Sequence, residues 1–221
     1  VARQGYNVIG LSYNDTPAVN EVCPQSRDIA CSAKFRETRV FGTGQSAVVT
    51  NSAPESIESR LVTLLRALAQ SQPDRGWDLY LDGQTPRWDR IVVSGMSQGA
   101  GMAAFIAKRH VVRRVVLFSS PWDVAGPNHD PAPWLSDSSA TPPDRWFAEY
   151  HRRELTTKLI SRAYAALKIP TDHIWIFDRD LPPQLERGHS PNPYHVSTII
   201  NQDYAPQWRA MFGQASELPA P

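Results

Sequence analysis

Two kinds of hydrophobic pattern alternate along this chain. The runs Val8–Tyr13, Arg90–Ser94, Arg114–Ser119, Arg145–His151 and His173–Phe177 are short and rich in β-branched, aliphatic or aromatic residues, as buried strands are. Between them the apolar positions take helical spacing. From Pro54 to Ala69, Ile57, Leu61, Leu64, Leu65 and Leu68 form one stripe; Pro54 suits a first turn, and Gln72-Pro73 closes the element. A small-residue helix opens at Ala100, another is predicted from Thr156 to Leu167, and a terminal one from Ala205 to Phe212. Val1–Gly5 reads as the tail of a helix, Gln184–Arg187 as a hairpin return and residues 14–50 as loop. Strands separated by helices predict an α/β fold, a mostly parallel sheet with helices on both faces, in a single domain over residues 1–221. Residues 124–144, rich in Pro, Asp and Ser with Trp122, Trp134 and Trp146 in and around them, form an excursion that reads as a cap over a site or as a packed connector.

Composition narrows the picture mainly by exclusion. With 221 residues, 41% of them hydrophobic, the chain can bury one sizeable core. Its formal charge of +1 is spread without a basic block, which gives no support to nucleic-acid binding, and no apolar run has the ~20 residues of a membrane span. Cys23 and Cys31 lie close together in a polar stretch and predict a disulfide, hence an oxidising compartment, periplasmic or secreted. With no histidine near them they cannot complete a zinc site, so no metal is expected.

The candidate chemistry centres on Gly95-Met96-Ser97-Gln98-Gly99, which joins a strand run to a helix run. A serine hydroxyl attacks poorly at neutral pH unless a sharp strand-to-helix turn presents it to a base and to backbone N–H donors. Gly95 and Gly99 permit that turn, Gly99 by letting the new helix pack close to its neighbouring strand. Among six histidines, His195 is favoured as base, in a loop before the apolar segment Val196–Ile200; His189 is the alternative. The carboxylate that would fix the imidazole comes from Glu154, Asp123, Asp178 or Asp180, all of which preserve the order nucleophile, acid, base.

The elbow, together with Gly5–Tyr13, the two-cysteine loop, Ser56–Leu61, Trp88–Gly99, Ser119–Asp123 and Thr141 through His151 to Glu154, resembles the α/β-hydrolase superfamily of the serine esterase and lipase type, and in particular a group of exported bacterial hydrolases. That resemblance implies Ser97 as nucleophile, His195 as base, Glu154 as acid after the penultimate strand, and the backbone N–H of Gln98 as one oxyanion donor. It implies hydrolysis of a small-molecule ester through an acyl-enzyme, with no cofactor. Thioester hydrolysis, transacylation, or a non-catalytic binding role on the same fold are the alternatives. Such hydrolases carry a Gly-rich loop, often of HGGG type, ahead of the helix that ends at Gly5. None is present here, so the domain is expected to be N-terminally incomplete, or to draw its second oxyanion donor from elsewhere, such as the loop after Tyr13.

Overall fold

The computed structural model describes residues 1–186 and 190–216. Its centre is a sheet of four parallel strands in chain order: β1 (Val92–Met96), β2 (Arg114–Phe118), β3 (Trp146–His151) and β4 (Ile174–Phe177). The side-chain alternation of a strand explains why both faces are covered. In β2, Val115 and Leu117 enter the larger core while Val116 and Phe118 enter a smaller one on the opposite face with Met211 and Phe212. An unbroken apolar run such as Val115–Phe118 is what a sheet covered on both sides requires.

Helices supply those covers. They are α1 (Cys31–Phe41), α2 (Ile57–Ser71), α3 (Gln98–Arg109), α4 (Thr157–Ala166), α5 (Pro193–Ile200) and α6 (Ala205–Phe212). The larger face is covered by α3, which lies against β1 and β2, with α1 and α2 packed in turn around it. The fold is therefore α/β, as the alternating pattern predicts.

Four local expectations need correction. The segment 14–50 is not all loop, because α1 lies within it. Its buried face carries Arg36 and Arg39 beside Phe35 and Val40, so no apolar stripe betrays the helix. Val8–Tyr13 is not a paired strand: no described strand neighbours it, and Val8 stays 56% exposed. Residues Pro183–Glu186 form a short helix rather than a hairpin return. His195 stands in the first turn of α5 rather than in a loop.

The excursion packs inward in its middle. Trp134 is buried against Phe105, ring centroids 5.4 Å apart. The Lys108 ammonium ties the segment down by donating to the carbonyls of Leu135 and Asp137. Cys23 and Cys31 form a disulfide that joins the end of the short helix Val19–Val22 to the start of α1. Among the described residues, no helix is long and apolar enough to cross a membrane.

Candidate active site

Parallel strands deliver their C-terminal residues to one edge, and the crevice beyond that edge is where open α/β sheets place ligands. Ser97 follows β1 there, Ser119 follows β2, and Glu154 lies three residues beyond β3. Ser97 takes φ 54° and ψ −124°, a strained conformation that costs on the order of 1–3 kcal/mol for a non-glycine residue. It is over-determined from both sides. Its N–H donates to Phe118 O at 3.0 Å, extending the ladder, and its carbonyl accepts from Ala100 N–H at 3.1 Å, starting α3. The Ser97 hydroxyl caps nothing and makes no hydrogen bond among the described residues, His195 included.

The two glycines divide the work differently from the expectation. A Cβ on Gly95 would collide with the backbone of Gly99 and Ala100, whereas one on Gly99 would meet nothing within 4 Å. The close strand–helix approach is therefore made at Gly95.

Of the four acid candidates, one meets a histidine. Glu154 Oε2 lies 2.7 Å from His195 Nδ1, and the Glu154 side chain has no exposure. Its other oxygen accepts from the His151 N–H at 2.9 Å and from the Ser119 hydroxyl at 3.0 Å, while the Thr156 hydroxyl reaches Oε2 at 3.3 Å. Asp123 is instead gripped by the Arg36 guanidinium at 2.5 and 2.7 Å and by Trp134 Nε1 at 2.9 Å. Asp178 and Asp180 pair at the surface with Arg152 and Arg153.

The other histidines are occupied or remote. His110 ends α3, far along the helix from Ser97, in contact with the rings of Phe41 and Trp88; burial lowers its pKa. His173 bonds to Trp146 O at the amino end of β4. Both ring nitrogens of His151 are engaged, Nε2 with Arg179 O and Nδ1 with the Arg153 N–H. His129 belongs to the excursion, and His189 lies outside the described residues.

Several supporting residues escape sequence reasoning. Ser119, itself at φ 51°, aims its hydroxyl at Glu154. Trp122 packs on the His195 ring at 5.3 Å. Gln98 does more than offer its N–H: its side chain accepts from Val19 N–H at 2.7 Å and donates to Asp15 O at 2.5 Å, tying the loop after Tyr13 across the elbow. Glu149, one strand position back from Tyr150, is wholly buried, and among the described residues its carboxyl oxygens have no partner of good hydrogen-bond geometry, with only Thr198 and the Ser119 backbone near enough to ease the charge. Burial first, and the Glu154 charge second, raise its pKa well above the usual carboxylate range. Only a serine in the Ser119-Ser-Pro-Trp-Asp123 stretch and a glutamate in an otherwise apolar strand hint at these roles in the sequence.

A cavity of 210 Å³ opens beside this constellation, lined by Val19, Cys23, Trp122, Thr156 and Leu159 among others. Three of its lining residues touch the site: Val19 through Gln98, Trp122 through His195, and Thr156 through Glu154. Among the described residues no group of three or more His, Cys, Asp or Glu side chains is placed to hold a metal ion.

No protein family, curated protein or solved structure matches this chain. The functional reading accordingly stands on the arrangement of its own residues.

Proposed function

We propose that this chain is a serine hydrolase of the α/β-hydrolase type that cleaves carboxylic esters of small molecules. The observation that carries the reading is the buried 2.7 Å contact between Glu154 and His195 at the sheet edge where the strained Ser97 stands. Ser97 follows β1 and Glu154 follows β3, two strand spacings or roughly 10 Å apart at about 4.8 Å each. The His195 imidazole, held at Nδ1 by Glu154, is of the size to bridge that gap when the Ser97 hydroxyl turns toward Nε2.

In this reaction Ser97 Oγ attacks the ester carbonyl and passes its proton to His195 Nε2. Glu154 holds the Nδ1–H tautomer and stabilises the imidazolium. The carbonyl oxygen becomes an oxyanion beside the Gln98 N–H, one donor of a type whose loss costs about 3 kcal/mol of transition-state stabilisation. Collapse breaks the ester C–O bond, and the leaving alkoxide takes the proton from His195. Water, deprotonated by His195, then attacks the acyl-serine and frees the acid. The 210 Å³ cavity receives the acyl group. The disulfide fits export to the periplasm or beyond.

A fluorophosphonate probe is the direct test, read by peptide mapping together with hydrolysis of p-nitrophenyl acetate and butyrate. Ser97 is expected to carry the label, and Ser97→Ala to lose at least 10³-fold in turnover (~10³). Absence of labelling with intact folding would favour a non-catalytic binding role. Faster turnover of thioesters than of esters would shift the assignment to thioester hydrolysis.

A further inference from the structure

Two carboxyl groups lie buried near His195, and they differ in their partners. Glu154 holds the imidazole on one oxygen and accepts from Ser119 and His151 on the other. Glu149 has no solvent exposure and, among the described residues, no hydrogen bond of good geometry. Along β3, Ala148 and Tyr150 enter the larger core and Phe147 the smaller one, so alternation turns Glu149 to the smaller face, where α5 lies against the strand.

The donors nearest the Glu149 carboxyl are the Thr198 hydroxyl and the Ser119 N–H, and both are engaged elsewhere. The Ser119 N–H donates to the Glu149 backbone carbonyl at 3.0 Å, and the Thr198 hydroxyl donates to His195 O at 2.9 Å. The Ser119 hydroxyl has one proton for Glu154 Oε1 at 3.0 Å or Thr198 Oγ1 at 3.3 Å, and the charged oxygen holds it. A carboxylate at position 149 would therefore be buried without a donor of its own. A carboxylic acid brings its own proton, and Thr198 Oγ1 has lone pairs to accept it.

We propose that Glu149 is a positioning residue of the hydrolytic site, a neutral acid that donates to Thr198 Oγ1 and leaves the Thr198 proton on the His195 carbonyl. Its kinetic consequence rests on the hydrolase reading; its proton does not. When hydroxide removes that proton, a carboxylate competes with a carbonyl for the Thr198 hydroxyl, and a charged acceptor binds it about twice as strongly. Thr198 then turns to Glu149. The first turn of α5 loses a tie at His195, and a second negative charge stands beside Glu154, so turnover falls while substrate binding is spared. Among the described residues, the other titratable groups around Glu149 are His151 and Glu154 in and after β3, His195 from α5, Tyr164 from α4 and Tyr204 from the short helix Gln202–Tyr204; β2 and β4 bring Phe118, Ser119 and Trp175. Burial raises both phenols and lowers His151, so none of these three supplies an alkaline step below the usual tyrosine range.

The test uses the whole chain and two readouts that need no catalysis. At neutral pH the infrared difference between wild type and Glu149→Gln is expected to show the C=O band of a protonated carboxyl group. Between about pH 6 and about pH 10 that band should fade in one step, and the His195 Nδ1–H proton resonance should move with it. Turnover of p-nitrophenyl acetate should fall through the same step with KM unchanged. Glu149→Gln, whose NH₂ still donates to Thr198, should lack the step; Thr198→Val should lose the response of the resonance and of turnover while keeping the infrared band. Glu149→Leu offers no donor and should lose about tenfold or more in kcat per folded molecule, the worth of one hydrogen bond. Carboxylate bands alone at neutral pH would overturn the proposal. So would the absence of any step, a step that persists in Glu149→Gln or Thr198→Val, or wild-type kcat in folded Glu149→Leu. If no variant cleaves esters while the resonance follows Glu149, the hydrolase reading fails and the positioning role stands.

Discussion

Glu154→Gln isolates the contribution of the carboxylate, because the substitution keeps shape and changes one atom. The geometry dictates which atom. One side-chain oxygen of residue 154 accepts from the His151 backbone N–H at 2.9 Å, a donor that cannot reverse. The glutamine must therefore place its oxygen there and turn its NH₂ toward His195, where Glu154 Oε2 now lies 2.7 Å from Nδ1. Two donors cannot face each other, so Nδ1 gives up its proton and the imidazole shifts to the Nε2–H tautomer. That tautomer cannot accept the Ser97 proton. The expected loss in turnover is on the order of 10⁴-fold, with little change in substrate KM and no more than about 2 kcal/mol in stability. Two measurements check it: hydrolysis of p-nitrophenyl acetate, and long-range ¹H–¹⁵N correlation of the imidazole, which reports the tautomer without catalysis. Retention of a tenth or more of the wild-type turnover, or an unchanged His195 tautomer (~0.1), would refute the reasoning.

Further substitutions probe the frame around the site. Gly95→Ala drives a methyl into the Gly99 and Ala100 backbone and should cost about 2–3 kcal/mol by thermal denaturation, whereas Gly99→Ala should be nearly neutral because its Cβ meets nothing within 4 Å. Arg36→Met leaves the Asp123 carboxylate buried with only the Trp134 donor, an expected loss of about 3–5 kcal/mol in urea unfolding; restoring part of it with Arg36→Met/Asp123→Leu would place the cost in the stranded charge. Glu149→Gln tests the raised carboxyl pKa through its pH dependence. Because the folded-state value lies above the unfolded one, the wild type holds this group's contribution fully below about pH 4.5 and loses about 1.4 kcal/mol per pH unit above it, up to the folded pKa. The variant should gain relative stability as pH rises from 4 to 7 (~4 to 7), and parallel stability curves would contradict the assignment.

The elements most legible in the sequence were those whose own pattern pays no attention to partners. The α2 stripe is visible because its burial and its hydrophobicity coincide, and β2 because the doubly covered run Val115–Phe118 is apolar throughout. The helix α1 was illegible for the opposite reason: its inward face is built from Arg36 and Arg39, whose burial makes sense only beside Asp123, Thr16 and Asn51. Val8–Tyr13 shows the converse, a strand-like pattern that no described strand completes.

The sequence by itself determined the alternating α/β layout, the disulfide-competent cysteine pair and the strand–Gly-x-Ser-x-Gly–helix turn, all of them products of local period and backbone sterics. Choosing Glu154 over Asp123, Asp178 and Asp180 belonged to the tertiary structure alone. All four carboxylates follow strands that end at the same sheet edge, so order along the chain could not separate them. What separates them is which cation or imidazole folding brings within hydrogen-bond reach: Arg36 for Asp123, surface arginines for Asp178 and Asp180, and His195 for Glu154. Those pairings span 41 to 87 residues of sequence where they are buried, distances over which local pattern carries no information.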